Sequence, residues 1–255
     1  MNLHERFLLH LADNALILGQ RNAEWCGHGP ILEEDLAMAN NSLDLIGQSR
    51  LLYQHVAHLR HDGSTEDSLA YFRSQQEFFN FTLLELPHTT ALAPSARTER
   101  DYAVTITRNF LFSAYMVLLW TKLQSHEDQQ LAAIADKSLK EVRYHLQHSS
   151  DWLIRFGDGT EASHAKAQAA LDFLMPYTQE FWSDWPVAPS VLADAKALKC
   201  TWLETVEDVL AQAGLQTPPG AGYLTQGKHG IHSEHMSYLL AEMQSLARQH
   251  PGATW

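Results

Sequence analysis

The sequence is poor in cysteine and in positive charge. Its 255 residues include two cysteines, Cys26 and Cys200, which lie far apart and in no metal-binding spacing. This usage argues against a disulfide scaffold and fits a reducing compartment. Lysine and arginine together number 18 against 30 aspartates and glutamates, which gives a formal net charge of -12. We therefore expect neither nucleic acid nor a membrane surface as a partner.

Signatures of targeting and of common active sites are also missing. No apolar run reaches the length that crosses a bilayer. The N-terminal apolar segment is interrupted by Glu5, Arg6, His10 and Asp13, so no signal peptide is predicted and we expect a cytoplasmic protein. The chain has no glycine-rich phosphate loop, no Gly-x-Ser-x-Gly and no Cys-x-x-Cys. None of these motifs therefore points to an active site.

Helical periodicity dominates what is present. Apolar residues recur at steps of three and four along three segments, the pattern of an amphipathic helix. The stripes are Leu8, Leu11, Ala15 and Leu18; Leu32, Leu36, Ala39, Leu43 and Ile46; and Leu139, Val142, Leu146, Leu153 and Phe156, with Ser149 in the slot between. A further segment, residues 101–123, is apolar on nearly every side, as the central helix of a bundle is.

Shorter helices are predicted to follow the long ones. Breaks rich in Gly, Pro and Ser separate predicted helices over residues 161–181, 191–213 and 234–249. Ser233 is a suitable N-cap for the last of these. No stretch has the alternation of a strand. The residues alone therefore predict an all-α bundle of four long helices with shorter helices around it.

Two polar stripes on the long helices are candidates for chemistry. Glu141, His145 and His148 occupy positions i, i+4 and i+7 and so share one side of a helix, where they are able to ligate zinc or iron. From the spacing alone, a buried or interfacial hydrogen-bond network, or a wet face, is the favoured interpretation over a metal site. The second stripe is Asn40, Asp44 and Gln48.

A di-iron site in a helix bundle needs more donors than these. Two of its helices each supply a Glu-x-x-His pair. Here the third residue after Glu141 is Tyr144, where a histidine is needed. On the other helix Asp44 stands where a glutamate is needed, and Gly47, three residues later, stands where a histidine is needed. The apolar helix over 101–123 has no acidic residue in its middle.

Other clusters of metal-type or nucleophilic residues are weaker candidates. Two Glu-x-x-His strings occur, and neither is predicted to bind metal. Glu85-Leu-Pro-His88 contains a proline where a helical turn is needed. Glu161-Ala-Ser-His164 begins a helix, where an acidic residue interacts with the helix dipole. The histidines at 229, 232 and 235 are spaced by threes in a glycine-rich connector, a weak zinc pattern. Cys26 with His28 suggests a thiol–imidazole pair, although a cysteine beside a tryptophan at a helix end is more often packed than reactive.

Three longer stretches carry a resemblance to a known family. They are DNALILGQRNAEWCGHGPILEEDLAMANNSLDLIGQSRLLY, KEVRYHLQHSSDWLIRFGDGT and GKHGIHSEHMSYLLAEMQSLARQHPG. Together they resemble the C subunits of the phenylacetyl-CoA epoxidase family, the multicomponent ring 1,2-phenylacetyl-CoA epoxidases of aerobic phenylacetate catabolism. The similarity spans nearly the whole chain, and EWCGHGPILEEDLA and KEVRYHLQHSSDWL are specific to this family.

The resemblance implies a fold and a set of partners. It implies a single ferritin-like helical domain over 1–255, a four-helix bundle with core helices at about 3–160 and additional C-terminal helices at about 161–255. The A subunit of such an enzyme carries a di-iron centre, a small B subunit joins the A and C subunits, and a reductase with flavin and an iron–sulfur cluster passes electrons from NADPH. The C subunit packs against the A subunit as a structural component of this hetero-oligomer.

The same resemblance implies that this chain has no cofactor and no catalytic residue of its own. Asp44, Gly47, Glu141 and Tyr144 are then degenerate ligand positions of a metal helix pair whose metal is gone. The chain is a component of an oxygen- and NADPH-dependent monooxygenase without being catalytic itself. The competing hypothesis is a di-iron or mononuclear metal oxidase in its own right that uses Glu141, His145 and His148.

Overall fold

The computed structural model describes residues 1–91, 100–183, 185, 187 and 194–253, and these residues form helices and no β-strand. The helices are α1 (Leu3–Ala23), α2 (Leu32–Arg60), α3 (Glu66–Tyr71), α4 (Thr82–Glu85), α5 (Tyr102–Leu123), α6 (Gln129–Asp158), α7 (Glu161–Leu174), α8 (Gln179–Trp182), α9 (Ala195–Gln212) and α10 (Glu234–Gln249). Short 3-10 helices occupy Gln75–Glu77, Met175–Thr178 and Gly227–His229. The prediction of an all-α chain with four long helices is confirmed.

The chain forms two compact units. The first is built from the described residues of Met1–Leu86, Pro186–Ala188 and Thr225–Trp255, and the second from those of Pro87–Trp185 and Pro189–Leu224. This division does not fall at residue 160, where the sequence places the change from core to accessory helices. The single domain over 1–255 therefore stays a prediction. A helix is predicted over 191–213, and its first three positions, 191–193, lie outside the described residues.

In the first unit α1 lies along α2 and is buried on almost every side. Its start is fixed by Asn2, whose side chain accepts a hydrogen bond from the Glu5 amide at 2.7 Å. The predicted stripe of α1 is confirmed, because Leu8, Leu11, Ala15 and Leu18 are all buried. Burial of such side chains is the main favourable contribution to folding.

The predicted stripe of α2 is present but faces outward, whereas the apolar stripe of an amphipathic helix ordinarily faces the core. Leu32, Leu36, Leu43 and Ile46 are between 38% and 72% exposed. The physical reason is that α2 carries apolar residues on both sides, and the side packed inside the chain is the other one. That inner side comprises Met38, Leu45, Leu52 and Val56 with the polar residues Asn41, Gln48, Ser49 and Tyr53.

In the second unit α5 is the central helix and packs along α6. It is the one described helix that is long and apolar enough to cross a membrane, and 83% of the qualifying window is buried inside the chain. Core helices pass this test as readily as membrane spans do. The predicted stripe of α6 faces inward, with Leu139, Val142 and Leu153 buried. Ser149 fills the polar slot by donating its hydroxyl to the His145 carbonyl at 2.7 Å.

Candidate functional site

The Glu141, His145 and His148 stripe lies in the second unit, on a helix capped by Asp128. His145 is buried, whereas Glu141 is half-buried and lies 3.8 Å from the ammonium of Lys137. His148 is half-buried, and its ring stacks on the exposed ring of Tyr144. A helix rises about 1.5 Å per residue, so positions 141 and 148 are about 10 Å apart along its axis.

These three side chains do not fit a metal ion in the described structure. They are not among the described residues whose ligand atoms all come within 4.8 Å of one another. A mononuclear site needs its donor atoms about 2.0–2.3 Å from one ion. The stripe is therefore a shared helix side rather than a convergent donor set.

The second polar stripe is displaced from the core side of α2. Asn40 is exposed, Asp44 is half-buried and only Gln48 is buried. A Cβ placed on Gly47 would meet no atom within 4 Å, so this position borders open space. The buried neighbour of Asn40 is Asn41, one residue further along. No local signal predicts this shift, because either asparagine fits a polar stripe at helical spacing.

A buried ionic cluster in the first unit was not predicted. Asp13 of α1, fully buried, accepts a hydrogen bond from the Tyr53 hydroxyl at 2.5 Å and a short one from the Arg73 guanidinium. It also accepts from the Phe79 amide at 2.8 Å. Burial lowers the pKa of Arg73, but the charge of Asp13 outweighs this and raises it overall, so the guanidinium stays charged. Asp13 thereby ties α1 to α2 and to the segment that follows α3.

His10 also binds the segment that follows α3, and its imidazole ring is neutral. Its Nδ1–H donates to the Phe79 carbonyl at 2.6 Å, and its Nε2 accepts from the Asn14 amide at 3.1 Å. Asn14 in turn accepts from the Phe81 amide at 2.8 Å. Burial lowers the pKa of His10 to about 3. A single ring proton is enough for this arrangement.

His232 contacts the segment that follows α3 as well, and its imidazole ring is charged. Its Nδ1 lies 2.7 Å from a carboxylate oxygen of Glu85, and its Nε2 lies 2.9 Å from the Phe78 carbonyl. Both neighbours accept only, so both ring nitrogens must carry a proton. Burial opposes this charge, but the hydrogen bond and charge of Glu85 raise the pKa of His232 overall. The connector before α10 is thus fastened to α4 by a buried ion pair.

The ion pair between Glu85 and His232 involves residues of two metal-type patterns seen in the sequence, the Glu85-x-x-His88 string and the histidines at 229, 232 and 235. Glu85 binds His232, whereas His88 bonds to the Thr105 hydroxyl at 2.7 Å, so the Glu85-x-x-His88 string has two separate partners. His229 is exposed and His235 is buried, and with His232 they form no group of converging ligand atoms among the described residues. Ser233 is the N-cap residue of α10, as predicted.

The loop between α1 and α2 is built around Asp35. The carboxylate of Asp35 accepts from the Gly29 amide at 3.1 Å. Backbone hydrogen bonds from Gly29 and Gly27 lower the pKa of Asp35. A Cβ on Gly29 would lie 2.7 Å from the Asp35 backbone, so glycine is required there. This loop fixes the entry into α2 and leaves Ile31 exposed beside it.

The thiol–imidazole pair suggested by Cys26 and His28 is not formed. The His28 ring donates from Nδ1 to the carbonyl of Cys26 at 3.0 Å, not to its sulfur. The interpretation of Cys26 as a packed cysteine is also wrong, because the thiol is exposed while its neighbour Trp25 is buried.

Comparison with known proteins assigns the chain to a family. The model of a family described as phenylacetic acid catabolic protein matches residues 2–255. The chain is similar to the C subunit of the 1,2-phenylacetyl-CoA epoxidase of Escherichia coli strain K12, with 40% identity over 260 aligned positions that cover all of both chains. The family is ferritin-like, in agreement with the predicted fold class. From its full-length match, the chain belongs to the phenylacetic acid catabolic protein family.

Proposed function

We propose that this chain is a non-catalytic structural subunit of a 1,2-phenylacetyl-CoA epoxidase in aerobic phenylacetate catabolism. The observation that carries the proposal is the 40% identity to the C subunit of such an epoxidase along the full length of both chains. A relation of this extent covers the whole of a subunit, not only a shared motif.

The donor geometry supports the non-catalytic part of the proposal. Glu141, His145 and His148 share a helix side without converging. Gly47 and Tyr144 stand where the histidines of the two Glu-x-x-His pairs would be, and neither side chain carries an imidazole. We interpret Asp44, Gly47, Glu141 and Tyr144 as degenerate ligand positions and assign no catalytic residue and no cofactor to this chain.

The partners follow from the same proposal. The chain assembles with a catalytic A subunit that holds the di-iron centre and with a small B subunit. A reductase with flavin and an iron–sulfur cluster supplies electrons from NADPH to this cytoplasmic complex. The contribution of the present chain is to hold the oxygenase subunit in a soluble, active shape.

Omission of the chain from a reconstituted epoxidase tests the proposal. We expect the A subunit, supplied with reductase and NADPH, to be inactive or insoluble alone and to regain phenylacetyl-CoA turnover when this chain is added. The chain purified alone should contain no stoichiometric iron and consume no oxygen. Full turnover by the A subunit without this chain would refute the structural role.

The competing hypothesis is a metal-dependent oxidase that uses Glu141, His145 and His148. Its support is the burial of His145 on the same helix side as Glu141. It requires one or about two irons bound per chain, with oxygen consumption in the absence of any other subunit. Elemental analysis and an oxygen electrode on the isolated chain separate the two hypotheses.

A further inference from the structure

The outward stripe of α2 is an apolar surface that the chain itself leaves uncovered. We define the outer face of α2 as Ile31, Leu32, Leu36, Leu43 and Ile46. These side chains are 51%, 72%, 57%, 66% and 38% exposed. They extend about 23 Å along the helix at 1.5 Å per residue. Single exposed leucines need no explanation, but a continuous row of this length on one helix side marks an interaction surface.

The outer face is held rigidly from behind. The carboxylate of Asp35 fixes the loop that carries Ile31, through the Gly29 amide. On the inner side of α2, Tyr53 is bonded to the buried carboxylate of Asp13. A surface that is already ordered loses little conformational entropy on binding, which favours docking.

The charges around the outer face select the kind of partner. Residues 22–49 contain five carboxylates and no lysine or arginine. Three of the five are engaged elsewhere, because Glu24 pairs with Arg21, Glu34 is buried and Asp35 bonds to the Gly29 amide. The carboxylates that border the outer face are Glu33 and the half-buried Asp44. Among them, Glu33 is exposed directly beside Leu32. The next cation along α2, Arg50, is paired with Glu66 at 3.3 Å. Two copies of this face would bring acidic rims together, and like charges across an interface are unfavourable.

We propose that the outer face of α2 docks the catalytic oxygenase subunit, through a helix of that subunit with an apolar side and lysine or arginine on its rim. The proposal rests on the proposed function, since it names the surface by which the structural subunit holds its partner. Leucine ridges separated by Ala39 and Gly47 give the grooves that helix–helix packing requires. One helix face is smaller than the ~800 Å² per partner of a stable interface, so it forms the centre of a larger contact.

Charged substitutions on the outer face test the proposal in the assembled enzyme. Leu36→Asp and Leu43→Asp each place a carboxylate in an apolar contact, and we expect each to weaken binding of the oxygenase subunit about tenfold or more. The matched control is Leu59→Asp. Leu59 is 42% exposed on the same helix, but at 100° per residue it lies about 160° round the helix from position 43. This control should bind like the unchanged chain.

The outcomes separate this inference from the proposed function. If the unchanged chain does not bind the oxygenase subunit, the proposed function fails. If the unchanged chain binds and both Leu36→Asp and Leu43→Asp bind equally well, the inference about the outer face fails alone. Circular dichroism and melting curves check that the variants are folded, and Leu43→Ala repeats the test without a new charge, with a smaller loss of affinity expected.

The acidic rim and the choice of partner are tested separately. Glu33→Lys should slow association with the oxygenase subunit and weaken the dependence of that rate on salt, whereas Glu33→Gln should have a smaller effect. Sedimentation of the chain alone checks the alternative occupant. A homodimer that Leu43→Asp dissociates, with binding of the oxygenase subunit unchanged, would show that a second copy covers the face and would overturn the proposal.

Discussion

The two longest helices of the chain, α2 with 29 residues and α6 with 30, use their apolar residues in opposite ways. In α6 the apolar stripe is buried or half-buried, and the lysines and arginines are exposed. In α2 the most regular stripe faces outward, while the buried side mixes apolar residues with Asn41, Gln48 and Tyr53. The comparison shows that α6 packs its apolar stripe within the chain, whereas α2 buries one side and exposes an apolar row on the other, which we propose a partner covers.

The largest effect on the free energy of unfolding is expected from the polar contacts behind α2. Asp13→Asn removes the charge that pairs with Arg73 and leaves a buried guanidinium without its carboxylate. Breaking one partner of a buried pair costs about 3–5 kcal/mol. Denaturant unfolding of the isolated chain measures this loss. Leu43→Asp is the comparison on the opposite side of α2, and a loss of similar size in that variant would contradict the difference between the two sides.

A matched pair of leucines makes the comparison between α6 and α2 quantitative. Leu153 is fully buried on α6, and Leu153→Ala should cost about 2–5 kcal/mol of stability through the cavity it leaves. Leu43 is 66% exposed on α2, so Leu43→Ala should change the stability of the isolated chain by less than about 0.5 kcal/mol. In the assembled complex Leu43→Ala, rather than Leu153→Ala, should lower the affinity between the subunits. Equal destabilisation of the isolated chain by both would mean that the chain itself covers the outer face.

A smaller effect is expected from the ion pair between Glu85 and His232, which fastens the C-terminal connector to α4. The pKa of His232 lies above its ordinary value of 6.5 because the charge and hydrogen bond of Glu85 outweigh burial. The unfolded chain therefore loses this proton at lower pH than the folded chain does, and stability falls as pH rises above 6.5. Glu85→Gln should remove this slope and cost about 1–3 kcal/mol near pH 6.

Histidine resonances measured by NMR provide the check and an internal control. The His232 resonance should titrate above pH 6.5 in the unchanged chain and at lower pH in Glu85→Gln. His10, whose pKa burial lowers to about 3, should show no change between pH 6 and 9. A His232 resonance that titrates below pH 6.5 in the unchanged chain would contradict the charged form.

The helical fold was predictable because local periodicity is enough to define it. The stripes of α1 and α6 and the apolar character of α5 predict which residues are buried, since in each helix one apolar pattern is dominant. The same reasoning fails for α2, where Met38, Leu45 and Leu52 form a second apolar row opposite the first. Periodicity cannot decide which of two rows faces the core.

The buried polar contacts could not be predicted from the sequence for a different reason. His232 and Glu85 are 147 residues apart, and Asp13 and Arg73 are 60 apart. Pairs of this kind leave no local pattern, and charged residues appear exposed by composition alone. The resemblance to a known family implies the fold and the expected assembly, but the surface that we propose for docking follows only from which side chains of α2 are exposed.

The most direct test of the docking surface is a photocrosslink in the assembled epoxidase. A benzophenone side chain at position 43 should crosslink this chain to the oxygenase subunit, and the same group at position 59 should not. Mass spectrometry of the crosslinked peptides should place the contact on a helix with lysine or arginine beside its apolar side. Crosslinking to the oxygenase subunit from position 59 but not from position 43, or from position 43 only to a second copy of this chain, would contradict the account.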